Sequence, residues 1–199
     1  MDYKLHLAKD KKLRPLVHNI VLEPLKVNKN IFVAMVKAVV SQQLSTKVAD
    51  VIFKRFLALY ATKNPTPAQV VATEYDTLKA IGLSNQKTQY IFNIANFALA
   101  NAFTYTYINK LNDDSLVAYL TQIKGIGKWT VEMLMMFTLG RENVFSLGDY
   151  GLQMGAKQLY QLDDSNKKLF LQQIEQLSKQ WEPYKTFAAR LIWRYKDAT

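Results

Sequence analysis

Apolar positions recur at three- and four-residue spacing along almost the whole chain, which is the period of an amphipathic helix. The spacing predicts ten helices, with Pro and Gly at several of the breaks between them. They cover residues 31–44, 48–60, 68–72, 75–81, 85–100, 115–123, 128–139, 150–160, 165–181 and 184–195. One short alternation, residues 103–107, predicts the single strand. The pattern is that of an all-α fold.

A glycine turn, Lys124-Gly125-Ile126-Gly127-Lys128, joins two of the predicted helices. Gly125 and Gly127 permit left-handed or tightly bent backbone and leave room for a phosphate at the amide N–H groups that begin the next helix. Lys124 and Lys128 add positive charge beside that position. The same residues also fit a plain helix C-cap followed by a helix N-terminus, so the turn alone leaves both interpretations open.

Asp149 opens the helix predicted over 150–160, after an apolar and glycine-containing loop. Local sequence favours a structural role, in which this carboxylate is the N-cap of the helix. A functional role is compatible with that one. A carboxylate at a helix N-terminus could also stabilise positive charge that develops on a substrate.

Three further segments accompany the turn and Asp149: residues 41–43 (Ser-Gln-Gln), residues 82–87 (Gly-Leu-Ser-Asn-Gln-Lys) and residues 181–193. In order and spacing the set resembles the helix-hairpin-helix superfamily of DNA glycosylases, specifically its alkylation-repair branch, 3-methyladenine DNA glycosylase II. The resemblance covers residues 31–194. It implies two helical lobes flanking a cleft, with a helix-hairpin-helix motif at the glycine turn. Residues 31–139 would form the central lobe, and residues 1–30 with 140–199 the second.

The activity implied by the resemblance is that of a monofunctional DNA glycosylase in base excision repair. Such an enzyme flips an alkylated purine, of the 3-methyladenine or 7-methylguanine type, out of double-stranded DNA and hydrolyses its N-glycosidic bond, which leaves an abasic site. Asp149 would stabilise the oxocarbenium-like charge or orient the attacking water. Branches that also cut the backbone carry a lysine nucleophile where this chain has Trp129. An indole forms no Schiff base, so no lyase activity is expected.

The same resemblance assigns the remaining site residues. The base pocket would contain Trp129, Trp193, Glu132 and Met133, with the indole faces attracting a cationic base. Trp181 is expected in the core, and the preferred role of Glu132 is an i,i+4 ion pair with Lys128. The expected DNA-binding residues are Gly125, Gly127, Lys124, Lys128, Gln42, Gln43, Ser84 and Lys87.

The roles of Gln42 and Gln43 have two interpretations. Gln42 and Gln43 are candidates for the wedge that fills the gap left by a flipped base, or they form an ordinary polar helix face.

Two departures from the family pattern lie near Asp149: Ser146-Leu147 replaces a loop in which proline is common, and Gln153-Met154 replaces a basic pair. The first would affect how rigidly Asp149 is held, and the second removes an expected phosphate contact.

Composition narrows the possibilities further. Lys and Arg outnumber Asp and Glu by 26 to 16, and the net charge of +10 favours a polyanionic partner. The absence of cysteine excludes disulfides, a catalytic thiol and cysteine-ligated metal. No cofactor is expected. The candidate metal site would bind a monovalent cation at the backbone carbonyls of Thr121, Ile123 and Gly125. Because no signal-peptide or membrane-spanning segment is evident, a cytoplasmic protein that does not bind membranes is predicted. A monomer is expected, because it suits the predicted cleft.

Two alternatives compete with this interpretation. A helix-hairpin-helix module without catalytic activity would bind duplex DNA with a steep salt dependence and no preference for damage. A glycosylase for another base lesion would need pocket groups suited to a neutral base.

Overall fold

The computed structural model describes residues 2–198, with the side chain of Thr46 left aside, and every regular element in that range is a helix. In chain order the helices are α1 Tyr3–Leu7, α2 Leu13–Asn19, α3 Ile31–Ser41, α4 Thr46–Ala58, α5 Pro67–Val71, α6 Tyr75–Ala80, α7 Asn85–Ala100, α8 Tyr105–Lys110, α9 Asp113–Leu120, α10 Lys128–Phe137, α11 Tyr150–Tyr160, α12 Lys167–Gln180 and α13 Lys185–Ala198. The all-α prediction is confirmed over these residues.

The chain divides into two compact units. The first unit combines Met1–Lys26 with Gly140–Thr199 and contains α1, α2 and α11 to α13. The second unit, Val27–Leu139, contains α3 to α10. The first is therefore discontinuous in sequence.

Side-chain caps define where most of the helices begin. In each case an Asn, Ser, Thr or Asp oxygen accepts a hydrogen bond from an amide in the first turn, which satisfies one of the free N–H groups there. These N-caps are Asp2, Asn30, Ser45, Thr66, Ser84, Thr104, Asn112, Asp149 and Asn166. The ends predicted from periodicity for α7 and α11 agree with the structure.

The strand predicted over 103–107 is wrong, because this segment begins α8. The Thr104 hydroxyl accepts from the Tyr107 amide at 3.3 Å and starts a helical turn, and Ile108 on that helix is completely buried. A side-chain cap and one buried apolar residue thus outweigh the β-propensity of the aromatic and threonine residues. The predicted helix 31–44 also ends early, at Ser41, because Gln42 leaves the helical region with ψ of 127° and Gln43 is left-handed with φ of 55°.

Each unit has its own apolar core. In the second unit, α3 buries an almost continuous apolar face against α7 and α10. In the first unit, Ala156, Phe170 and Ile174 form a buried cluster between α11 and α12. Trp181, 1% exposed, donates from Nε1 to Asp10 at 3.1 Å, so its predicted core position is confirmed. Among the described residues no helix has both the length and the apolarity needed to cross a bilayer.

Candidate nucleic-acid interface and catalytic carboxylate

The glycine turn between α9 and α10 requires glycine at one position and leaves open space at the other. Gly125 has φ of +102°, and a Cβ there would lie 2.2 Å from ring carbons of Tyr90. Gly127 is the N-cap of α10 with φ of −95°, and a Cβ there would meet nothing within 4 Å. Gly125 therefore allows the turn to lie flat on an aromatic ring, and Gly127 leaves the α10 N-terminus unobstructed.

Helix α7 supports this turn from below. The Tyr90 ring is the surface on which Gly125 lies, and Asn93 Nδ2 donates to the Lys124 carbonyl at 2.9 Å. Gln42 Nε2 holds the turn from α3, because it donates to the Gly125 carbonyl at 3.4 Å and to Thr130 Oγ1 at 3.2 Å. The turn is thus positioned by side chains from α7 and from the residue that follows α3.

Two of the three carbonyls proposed for a monovalent cation have protein partners. The Ile123 carbonyl accepts from the Ile126 amide at 2.9 Å, and the Gly125 carbonyl accepts from Gln42. Over residues 2–198 the acidic and histidine side chains form no group of three that could hold a metal ion. The cation site at Thr121, Ile123 and Gly125 stays a prediction.

The two glutamines of the Ser-Gln-Gln segment have different environments. Gln42 is partly buried, with its amide directed at the glycine turn. Gln43 is exposed and has a left-handed backbone, which places it at the sharp bend that ends α3. Of the two wedge candidates, Gln43 is the exposed one.

Lys87 lies differently from what a phosphate-binding lysine requires. Its Nζ donates to the carbonyls of Val40 at 2.8 Å and Gln42 at 2.7 Å, and burial lowers the pKa of its ammonium. Two of its three N–H groups therefore satisfy the C-terminal end of α3, which argues against a direct phosphate contact. The role of Lys87 in DNA binding stays a prediction. Ser84 is the N-cap of α7 and accepts from the Lys87 amide at 3.3 Å.

Three of the predicted pocket residues share one face of α10. Trp129, Glu132 and Met133 follow at i, i+3 and i+4, and Trp129 is 37% exposed, so part of its indole is accessible. Glu132 is buried, and its carboxylate lies 3.8 Å from the Lys128 ammonium, which confirms the predicted i,i+4 ion pair. Met133 is half-buried beside them.

Asp149 is the N-cap of α11, as predicted, and it has a second partner. Its Oδ1 accepts from the Leu152 amide at 2.7 Å and from Trp193 Nε1 at 2.9 Å. The indole predicted as a pocket wall is therefore also a hydrogen-bond donor to the candidate catalytic group. Two donors on one oxygen fix the rotamer of the carboxylate.

Gly151 is a site residue that sequence reasoning missed. A Cβ on Gly151 would lie 3.1 Å from Asp149 Oδ1 and 3.2 Å from Trp193 Cδ1 and Nε1. A side chain at this position would therefore crowd both groups, which would have to shift by a few tenths of an ångström. Its place two residues after Asp149 was the available signal. Tyr90 and Asn93, also missed, carry no such signal, because their importance depends on what packs against α7.

The fold and the glycine turn at the start of α10 define an all-helical protein of the helix-hairpin-helix class. Residues 36–183 match the family described as HhH-GPD superfamily base excision DNA repair protein. The chain therefore belongs to the HhH-GPD superfamily, and the resemblance found in the sequence is confirmed.

Two relatives by sequence are similar over most of the chain. The chain is 32% identical over 162 residues to DNA-3-methyladenine glycosylase 1 of Schizosaccharomyces pombe. The aligned region covers 80% of this chain and 70% of that protein. It is 30% identical over 177 residues to the putative DNA-3-methyladenine glycosylase YfjP of Bacillus subtilis. That match covers 86% of this chain but 61% of the Bacillus protein, so this chain spans less than two thirds of its length.

Solved structures give the same result. The structure of S. pombe 3-methyladenine DNA glycosylase in complex with abasic DNA superposes with a TM-score of 0.86 at 28% identity, covering 98% of this chain and 96% of that one. The DNA-3-methyladenine glycosidase of Bacillus halodurans has a TM-score of 0.81 at 34% identity, covering 97% and 88%. An 8-oxoguanine glycosylase/lyase of Clostridium acetobutylicum, at 15% identity, shares the fold.

Proposed function

We propose that this chain is a monofunctional DNA glycosylase that removes alkylated purines, of the 3-methyladenine or 7-methylguanine type, from double-stranded DNA and leaves an abasic site. The observation that carries the proposal is the Asp149 carboxylate, fixed at the start of α11 by the Leu152 amide and the Trp193 indole. The named activities of the relatives support the same reaction.

Breaking an N-glycosidic bond leaves positive charge on the deoxyribose, and Asp149 is the group proposed to stabilise it. The bonding electrons leave with the base, so a base that is cationic from alkylation departs as a neutral molecule. Water then supplies the oxygen that bonds to C1′, and its released proton goes to the carboxylate or to solvent. Whether Asp149 stabilises charge, orients the water or does both, loss of its charge should cost about 3 to 4 kcal/mol of barrier.

Selection of an alkylated base is assigned to the α10 face. The partly exposed indole of Trp129 attracts a cationic purine more than a neutral one, by up to about 2 kcal/mol in a desolvated site. Glu132 and Met133 are the neighbouring residues of that face. Trp129 stands where lyase branches carry their nucleophile, so no covalent intermediate with the protein is proposed.

DNA binding is assigned to the second unit. The open α10 N-terminus at Gly127 presents backbone amides to a phosphate, and Lys124 and Lys128, both exposed, add charge. Gln43, exposed at the end of α3, is the proposed wedge. The net charge of +10 fits a polyanionic partner. The monomeric state and cytoplasmic location stay predictions.

The test is alkali-revealed cleavage of a methylated DNA duplex by the wild-type protein and by Asp149→Asn, with total DNA binding measured alongside. We expect the wild type to make abasic sites that break only after alkali is added. Asp149→Asn should bind DNA equally and release base about 100- to 1,000-fold more slowly.

Two results would contradict the proposal. Equal DNA binding with no base release from any alkylated duplex would indicate a non-catalytic helix-hairpin-helix module. Release confined to a duplex containing an oxidised or mismatched base would indicate a glycosylase for another lesion.

A further inference from the structure

Gln153 is a buried amide on α11 that faces back to the loop carrying Asp149. It is 7% exposed, and its Nε2 donates to the Leu147 carbonyl at 2.8 Å. Its Oε1 accepts from Lys167 Nζ at 2.7 Å. Each end of this amide thus has a partner, one in the loop and one at the start of α12.

The loop before Asp149 is held by its backbone and by the Leu147 side chain. Residues 146–149 read Ser-Leu-Gly-Asp, without proline, and a Cβ on Gly148 would meet nothing within 4 Å. Within the loop, the Asp149 amide donates to the Ser146 carbonyl at 3.0 Å. The Leu147 side chain packs against the cluster of α11 and α12, so the Gln153 bond holds the carbonyl of a residue whose side chain is also anchored.

We propose that Gln153, oriented by Lys167, is a positioning residue for Asp149. The geometry gives a continuous path: Lys167 orients the amide of Gln153, the amide holds the Leu147 carbonyl, and Leu147 lies two residues before the carboxylate. Gln153 also donates its backbone amide to the Asp149 carbonyl at 3.0 Å. The side-chain bond holds the loop at Leu147, before the helix. The backbone bond joins Gln153 to Asp149 in the first turn of α11.

Lys167 is suited to this role because its side chain is itself held. Its ammonium lies 5.6 Å from the centroid of the Phe170 ring, one turn further along α12. Phe170 is fully buried in the core cluster. The lysine thus reaches Gln153 while its ammonium lies against a ring of the buried core.

This inference depends on the proposed function, since Asp149 is taken as the catalytic carboxylate. The experiment therefore has one readout that requires activity and one that does not. The first is the single-turnover rate of base release from methylated duplex, with the Kd for a duplex containing an abasic site measured separately. The second is amide hydrogen exchange of residues 147–152, measured by NMR.

Gln153→Leu keeps the size of the side chain and removes both hydrogen bonds. We expect its single-turnover rate to fall about tenfold, with an unchanged Kd, because displacement of a reacting group by 1 Å can cost about 100-fold. Exchange of the Asp149 and Leu152 amides should become faster. Lys167→Met should act in the same direction with a smaller effect, and Lys167→Arg, which keeps a donor, should restore the wild-type values.

Gln172→Leu is the matched control, because this glutamine is exposed on α12, and neither readout should change. Ile174→Val loosens the core against which Leu147 packs and leaves both side-chain hydrogen bonds of Gln153 in place. If Ile174→Val lowered the rate and raised the exchange as much as Gln153→Leu does, the role of Gln153 would be general stability and the inference would be overturned.

A wild-type exchange pattern in Gln153→Leu would also overturn it, whatever the rate. Absence of base release by the wild-type protein would contradict the proposed function instead. In that case faster exchange confined to residues 147–152 in Gln153→Leu would still establish that this amide holds the loop.

Discussion

The indole N–H of Trp193 and the carboxylate of Asp149 form a 2.9 Å hydrogen bond across 44 positions of sequence. The bond joins α13 to the N-terminus of α11 within the first unit. Since the same Asp149 oxygen also caps α11, the orientation of the candidate catalytic group depends on two helices. Gly151 leaves room for both groups, because a Cβ there would come within 3.2 Å of each partner and crowd them.

Trp193→Phe keeps an aromatic ring and removes the N–H donor. A hydrogen bond to a charged group contributes about 1.5–3 kcal/mol, so base release should slow by about 10- to 100-fold if this bond holds the reactive geometry. Single-turnover kinetics on methylated duplex, with binding to abasic duplex as the control, measures this directly. Release at the wild-type rate by Trp193→Phe, together with a loss in Trp193→Leu, would assign the residue to base stacking alone.

The two glycines of the hairpin should respond differently to alanine. Gly125→Ala forces a left-handed residue to carry a Cβ inside the Tyr90 ring, and should lower the free energy of unfolding by about 1–3 kcal/mol. Gly127→Ala adds a methyl group in open space, so stability should stay near the wild-type value while affinity for DNA falls. Urea unfolding and fluorescence anisotropy with a labelled duplex separate the two effects. Undiminished DNA affinity in Gly127→Ala would show that no phosphate approaches this helix N-terminus.

Lys128 and Lys87 should differ in how they affect the salt dependence of binding. The Lys128 side chain is 72% exposed at the hairpin, so Lys128→Met should reduce the slope of log K against log salt by about 0.9. Lys87→Met should leave that slope unchanged and lower the free energy of unfolding by about 1–3 kcal/mol, because two carbonyls at the end of α3 lose their donor. A smaller slope in Lys87→Met would indicate that Lys87 contacts a DNA phosphate.

Gln43 and Gln161 form a matched pair, since both are exposed glutamines with left-handed backbone, at φ of 55° and 56°. Replacement by glycine should relieve strain and stabilise the fold by about 1 kcal/mol in either case. Only Gln43→Gly should also slow base release, because only Gln43 is a proposed wedge. Thermal unfolding and single-turnover rates of the two variants test this, and equal rates would leave Gln43 as a surface residue without that role.

Tyr160 should make stability depend on alkaline pH. Burial, together with the 2.7 Å hydrogen bond to Asp10, raises the pKa of this phenol above its usual value of 10.0. As pH rises above about 10, the unfolded chain releases this proton while the folded chain retains it, so stability falls by up to about 1.4 kcal/mol per pH unit. The wild type should exceed Tyr160→Phe in stability below pH 10, with the difference shrinking above it.

Urea unfolding of both proteins between pH 7 and 11 gives the difference between their free energies of unfolding. The contributions of the other tyrosines are the same in both proteins and cancel. A constant difference over the whole range would show that Tyr160 titrates alike in the folded and unfolded states.

Several features of this protein could be predicted from local sequence because their causes are local. Helices follow from the spacing of apolar residues, and the cap at Asp149 and the ion pair of Lys128 with Glu132 depend on residues within one turn of each other. The predicted end of α3 was less accurate, because the left-handed backbone at Gln43 ends the helix at Ser41, before the apolar spacing ends. The strand expected near Thr104 failed because the side-chain cap there starts a helical turn.

By itself, then, the sequence determined the helical class, the glycine turn, the charge and the identity of the candidate carboxylate. Only the tertiary structure decided what holds them: the Trp193 donor on Asp149, the Tyr90 ring beneath Gly125, and the Lys87 ammonium on the end of α3. Each of these contacts joins residues far apart in the chain. The packing of the helices decides these contacts. The spacing of apolar residues within one helix predicts which face is buried, but not which residue of another helix that face contacts.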